Sequence, residues 1–193
     1  GSAAVATRVL LDGYISDDGA PNSAQMNWLY ANGFSTSNGW LFGIQNNGST
    51  PFLKLFQLGA GGTTFESTYA MQTGIWYDAV VVLTEDSESG GVGDSVSFYI
   101  HPAEGSLFTT NRTGNIWTSA GGTTYIGNET MSAGAGNSRK AFDGTIDYLA
   151  VWDRALSQEE VLGLIIPEPS SIWLLVAGGI VIGAALRRRD RRR

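Results

Sequence analysis

Short runs of strand-forming residues, separated by turn residues, recur along the chain as far as residue 155. No stretch before that point keeps the 3.6-residue apolar period of an amphipathic helix. Many short antiparallel strands with turn signals between them predict an all-β fold, an antiparallel two-sheet jelly-roll sandwich. The predicted strands are 8–15, 25–31, 39–45, 52–58, 63–69, 75–83, 95–101, 123–126 and 144–152.

Two of these runs predict which faces of the sheets are buried. In the run 95–101, Val96, Phe98 and Ile100 alternate with mostly polar residues, so one face of the strand is apolar. The run 79–83 is apolar at every position, which is typical of a central strand covered on both faces.

A short helix is predicted directly after the last strand. Ser157 and Glu160 have the spacing of a capping box, with Ser157 as the N-cap. The helix must end before Pro167, because the residue preceding a proline disfavours helical backbone. The residues expected to face the core are Val161, Leu164 and Ile165.

The C-terminal part of the chain predicts a single transmembrane helix. Residues 172–186 contain no charged side chain and would form a helix of about 22 Å, shorter than the roughly 30 Å core of a bilayer. Snorkelling side chains and local thinning can close this gap. The arginine cluster that follows should stay in the cytoplasm, which places residues 1–166 outside. Its members are Arg187, Arg188, Arg189, Arg191, Arg192 and Arg193.

Pro167, Glu168 and Pro169 precede the apolar segment. This order of tripeptide, apolar segment and arginine cluster resembles the PEP-CTERM sorting signal of bacteria. The resemblance implies that a membrane-embedded exosortase recognises the tripeptide and cleaves the tail. The protein would then be released or attached to the outer surface, often among exopolysaccharide. A buried core helix or a nucleic-acid-binding tail fits less well, because neither explains an apolar segment that ends in six arginines.

Charge separates the two parts of the chain, a domain at 1–166 and the sorting tail at 167–193. The tail holds six of the twelve basic residues and two of the eighteen acidic ones, so the domain has a net charge near −10. An acidic domain argues against nucleic acid as a partner.

The chain has no cysteine, so neither disulfides nor thiolate sites are expected. Near the N-terminus, residues 4–6 resemble the small-residue end of a signal peptide.

The stretch 142–161, FDGTIDYLAVWDRALSQEEV, resembles the closing strand and helix of LamG-like, concanavalin A-like domains. The stretch 74–83 together with 96–101 resembles two paired strands of the same family. Glu104-Gly105 stands where the family usually has Asp-Gly. The resemblance implies a two-sheet jelly roll that is often carbohydrate-binding or adhesive, and that sometimes binds calcium.

The sequence offers little for catalysis, and we predict that the protein is not an enzyme. Glycosidic cleavage needs two positioned carboxylates, and the Glu-x-Asp-x-x-Glu strand of laminarinase-type relatives is absent. The acidic run 85–88 has a different spacing and is interpreted as a solvated loop. His101 is the only histidine, which excludes an ordinary zinc site and is interpreted as a surface residue at a strand end.

Two kinds of binding site are candidates. Asp12, Asp17 and Asp18 lie near a turn and could bind structural calcium, with Asp143 and Asp147 as a second group; ordinary turn acids are the favoured alternative. For sugar binding, Trp117 in the loop-like stretch 111–120 is expected to be exposed, with Asn115 as its polar neighbour. Most of the other large aromatic residues are expected in the core. They are Trp28, Tyr30, Trp40, Trp76 and Trp152.

The sequence therefore predicts an exported cell-surface or matrix protein whose non-catalytic domain binds carbohydrate or another surface ligand. Its expected partners are an exosortase and the membrane, through the tail, and polysaccharide. Two alternatives stay open: a glucanase-like hydrolase, and a structural exopolysaccharide-matrix protein without a discrete ligand.

Overall fold

A computed structural model describes residues 1–13, 25–32, 39–46, 50–58, 64–86, 93–116, 124–127 and 142–165 of the chain. These residues form ten strands and one helix. The strands are β1 (Ala3–Leu11), β2 (Gln25–Asn32), β3 (Gly39–Asn46), β4 (Pro51–Leu58), β5 (Thr64–Ala70), β6 (Trp76–Thr84), β7 (Ser95–Pro102), β8 (Phe108–Thr113), β9 (Thr124–Ile126) and β10 (Gly144–Trp152). The helix is α1 (Gln158–Ile165).

The strands form two five-stranded sheets, in which every pairing is antiparallel. Sheet A has the order β10-β1-β6-β7-β8, and sheet B has the order β5-β4-β3-β2-β9. Chain neighbours such as β2, β3 and β4 pair as hairpins, whereas β1 pairs with β10 from the far end of the domain. The predicted all-β, two-sheet sandwich is confirmed.

The main core contains alternate side chains from both sheets. In sheet A, Val5, Val81 and Phe98 are fully buried and lie directly opposite one another on β1, β6 and β7. Sheet B contributes Phe42 and Leu55, which pair across β3 and β4. Because a strand turns successive side chains to opposite faces, residues one position away lie on the outer faces.

Strand β6 is buried on both of its faces, as its uninterrupted apolar run predicts. Val81 belongs to the core between the sheets, and Val80 on the outer face is also fully buried. Ala4 and Ala6 continue this buried outer-face patch on the neighbouring strand β1. Small and β-branched side chains therefore form the middle of the outer face of sheet A.

Asp94 holds the segments on either side of β7 and β8 together. Its carboxylate accepts hydrogen bonds from the backbone N–H of Asp86, at 2.7 Å, and of Ile116, at 2.8 Å. Its backbone carbonyl accepts a third bond from the N–H of Gly114, at 3.1 Å. The residue is almost fully buried, so this acid has a structural role.

The structure corrects three local predictions. Strand β1 begins at Ala3, whereas the sequence predicts a strand that begins at residue 8, and residues 4–6 are buried within it. Strand β8 covers a stretch that overlaps the predicted loop 111–120. In α1, Val161 and Ile165 are buried as predicted, but Leu164 is 38% exposed. Among the described residues, no helix is long and apolar enough to cross a membrane, and the predicted span 172–186 lies outside them.

Candidate functional site

Four polar or charged residues form a line across the outer face of sheet A. Strand register places Arg8 of β1 directly opposite both Tyr148 of β10 and Asp78 of β6, and Asp78 directly opposite His101 of β7. We call Tyr148, Arg8, Asp78 and His101 the outer-face row. Neighbouring strands are about 4.8 Å apart, so the row extends about 14 Å perpendicular to the strands.

Trp76 lies beside this row and contacts it through Arg8. The centre of the Arg8 guanidinium is 5.7 Å from the centroid of the Trp76 ring, which is within the range of a cation–π interaction. The backbone at Trp76 is held in place, because its carbonyl accepts a 2.8 Å hydrogen bond from the N–H of Ala103. Just before it, Gly74 has a φ of 78° and donates its N–H to the carbonyl of Leu11 at 2.8 Å. Trp76 is half-buried, so part of the indole is accessible.

The charges in the row act on one another across the strands. Burial raises the pKa of Asp78 above its ordinary value, the charges of Arg8 and His101 oppose this rise, and the carboxylate of Asp147 adds to it. Burial also raises the pKa of Tyr148, and the charge of Asp78 acts in the same direction. Tyr148 therefore keeps its hydroxyl proton at physiological pH.

Both ends of the row carry buried polar atoms that have no hydrogen-bond partner among the described residues. These atoms are Nδ1 of His101 and the hydroxyl oxygen of Tyr148. Both atoms lie beneath the surface, and an unpaired buried polar atom costs about 1–3 kcal/mol of stability. A small number of convergent polar groups beside an aromatic ring is the composition that ligand sites usually have.

Two further aromatic residues lie on the same outer face, on either side of the buried apolar patch. Tyr99 of β7 is opposite Val80, and Trp152 of β10 is opposite Ala4. Both side chains are half-buried. The prediction that most of the large aromatic residues lie in the core is correct for Trp28, Tyr30 and Trp40, which are buried. It is wrong for Trp76 and Trp152, which lie on the outer face of sheet A.

The predicted calcium residues are only partly within the described part of the chain. Asp12 is exposed after β1, and its N–H donates to the carbonyl of Asp143 at 3.1 Å. The N–H of Asp143 in turn donates to the Asn27 side chain at 3.2 Å. Asp17 and Asp18 lie outside the described residues, and within those residues no group of three acids, histidines or cysteines could hold a metal ion. Calcium binding stays a prediction.

The predicted sugar and sorting residues are also partly beyond the described part. Asn115 is exposed after β8, whereas its predicted partner Trp117 lies outside the described residues. The sorting tripeptide and the arginine cluster lie outside them as well. The structure does not bring Asn115 together with the outer-face row, which sequence analysis missed apart from His101.

The sequence model of the concanavalin A-like lectin/glucanases superfamily matches residues 19–162, three quarters of the chain. The chain belongs to this superfamily. The PEP-CTERM protein-sorting motif matches residues 166–189, so both resemblances that the sequence suggests are confirmed. The motif identifies an extracytoplasmic protein, membrane-anchored or secreted, that an exosortase processes through its C-terminal tail.

Two solved structures are similar to this chain, and the first of them supports the two-sheet fold. A native heptameric SAP-like pentraxin from Limulus polyphemus is 16% identical and has a TM-score of 0.52, with 83% of this chain and 67% of the pentraxin covered. The marine PL-14 alginate lyase from Aplysia kurodai is 8% identical and has a TM-score of 0.48, with 78% of this chain and 69% of the lyase covered. No curated protein sequence matches the chain.

Proposed function

We propose that the sandwich is a non-catalytic polysaccharide-binding domain that its tail delivers to the cell surface or the extracellular matrix. In this proposal the domain faces away from the cytoplasm and the arginine cluster stays inside until an exosortase removes the tail. The outer-face row and Trp76 form the binding site. Fold alone does not specify a ligand, so the chemistry of these residues supports the proposal.

The observation that carries the proposal is the combination of an accessible indole with a line of hydrogen-bonding groups. An aromatic ring offers an apolar face to the C–H side of a sugar ring, and Trp76 is held in place by its neighbours. Arg8 donates hydrogen bonds and Asp78 accepts them, which matches the hydroxyl groups around a sugar. The row is long enough to contact several consecutive sugar units of a chain lying across the strands.

One observation favours the alternative of a glucanase-like hydrolase. Asp78 has a raised pKa and is influenced by a second carboxylate, Asp147, which is exposed on β10. Two carboxylates in different environments are the groups that glycosidic cleavage requires. A reducing-sugar assay on neutral and acidic polysaccharides tests this alternative. Product formation that Asp78→Asn abolishes would establish a hydrolase, and no product with any polysaccharide would leave a binding domain.

Substitution of Trp76 tests the binding proposal directly. The full-length chain, in a neutral detergent, is screened against a glycan array, and the affinity of the best polysaccharide is then measured. Trp76→Ala should weaken binding at least tenfold, or about 1.4 kcal/mol, because the truncated side chain loses its stacking surface. Tyr125→Ala is the matched control, since Tyr125 is a half-buried aromatic residue of sheet B.

The remaining outcomes separate the competing sites and functions. Weaker binding by Trp117→Ala, with Trp76→Ala unchanged, would move the site to the loop predicted from the sequence. Binding to no polysaccharide at all would contradict a binding domain and favour a structural matrix protein. Circular dichroism of each variant excludes a loss of folding as the cause.

A further inference from the structure

We infer that the outer-face row selects neutral, hydroxyl-rich glycans and rejects polysaccharides that carry carboxylate or sulfate groups. This inference rests on the proposed binding function and adds the class of ligand to it. Its basis is the balance of charge along the row and over the whole domain.

Arg8 is the one side chain of the row with a permanent positive charge, so it is the group that would attract an anionic sugar. Nearby carboxylates already offset this charge. Asp78 lies directly opposite it on β6, and Asp147 is next to its other cross-strand partner, Tyr148, on β10. The Arg8 guanidinium also lies over the Trp76 ring. A carboxylate on the ligand would therefore meet one guanidinium and two carboxylates within the same short stretch of surface.

The hydrogen-bonding groups of the row favour uncharged ligands. Arg8 donates hydrogen bonds and the Asp78 carboxylate accepts them, and a sugar hydroxyl can pair with either group because it both donates and accepts. A carboxylate or sulfate only accepts, so it could pair with Arg8 but would be repelled by Asp78.

The field of the whole domain acts in the same direction. Without the tail, the chain has a net charge near −10. Such a charge repels a polyanion before contact and slows its association, and the effect decreases as salt shortens the Debye length to about 10 Å at 0.1 M. Local charge and long-range field therefore both disfavour acidic polysaccharides.

Two oligosaccharides of equal length test this selectivity: a hexasaccharide of glucose and a hexasaccharide of uronic acid. Their affinities for the full-length chain in neutral detergent are measured by calorimetry at low and high salt. The arginines of the tail can also bind the uronate oligomer. Binding to the outer-face row is therefore measured as the part of the binding that is lost in Trp76→Ala. We expect the glucose oligomer to bind at least tenfold more tightly, and the difference to shrink on adding salt.

The double variant Asp78→Asn, Asp147→Asn should reduce the difference in affinity between the two oligomers at least threefold. The control is Glu104→Gln, which removes an exposed carboxylate outside the row and should leave this difference unchanged. Trp76-dependent binding of the uronate oligomer that equals or exceeds that of the glucose oligomer would overturn the selectivity and leave the binding function in place. If neither oligomer binds in a Trp76-dependent way, the proposed function fails and the selectivity fails with it.

Discussion

Asp78 is a carboxylate that the fold buries in the middle of a sheet face, between a basic residue and a histidine. Its raised pKa shows that the loss of hydration outweighs the attraction of Arg8 and His101. At pH values between the ordinary pKa of an aspartate, about 3.9, and the raised pKa of Asp78, the folded chain keeps a proton on Asp78 that the unfolded chain has lost. The contribution of Asp78 to stability is therefore complete below this window and is lost as the pH rises through it.

Asp78→Asn should remove this dependence on pH. We expect the variant to gain stability relative to the unsubstituted chain as the pH rises from 3 to 7, by an amount on the order of 1 kcal/mol. The measurement is the free energy of unfolding from urea titrations at each pH. Glu104→Gln is the control, because that carboxylate is exposed. Parallel pH profiles for Asp78→Asn and the unsubstituted chain would contradict the explanation.

At the same scale, the proposed binding site shows how much a sequence alone can reveal. Arg8, Asp78 and Tyr148 come from strands that are about seventy residues apart in the chain, and none of them belongs to a local motif. Only the pairing of β1 with both β6 and β10 places them side by side. Sequence reasoning chose Trp117 and Asp12 instead, because it could judge exposure from loops but not neighbours from register.

At the scale of elements, prediction succeeded where the apolar pattern was strong. The predicted runs in β6 and β7 match the observed strands closely, since burial of β6 on both faces and of β7 on one face leaves a clear pattern. Strand β8 has the sequence FTTNRT and only one buried residue, Thr110, so no apolar alternation indicates it. It forms because β7 presents an edge with which it can pair.

The double burial of β6 gives a prediction for the strand itself. Val80→Ala, on the outer face, should lower the free energy of unfolding by about 2 kcal/mol, as much as Val81→Ala on the core face, because both valines are fully buried. Thr84→Ala at the exposed end of the strand should change it by less than about 0.5 kcal/mol. Urea unfolding of the three variants makes the comparison. A small effect of Val80→Ala, similar to that of Thr84→Ala, would show that the outer face contributes little.

At the scale of the whole molecule, the chain combines an acidic sandwich with a basic sorting tail. The superfamily match covers residues 19–162 and the sorting motif covers residues 166–189, so the two matches occupy separate stretches of sequence. The residues of the proposed binding site lie on the outer face of sheet A, and Arg8 precedes the superfamily match. Because the proposed site includes no residue of the tail, we expect the domain to bind in the same way while anchored and after release.

The sorting motif predicts a defined change in the mature protein. In cells with the exosortase, the chain should end near Pro167, because the enzyme recognises the tripeptide that begins there and removes the apolar segment with its arginines. Intact mass spectrometry of the protein from its native bacterium, with and without the exosortase, measures this directly. Replacing Pro167, Glu168 and Pro169 by alanine should have the same effect as removing the enzyme, whereas replacing Ser170 and Ser171 should be tolerated. A species that ends at Arg193 in every strain would instead identify the tail as a permanent membrane anchor.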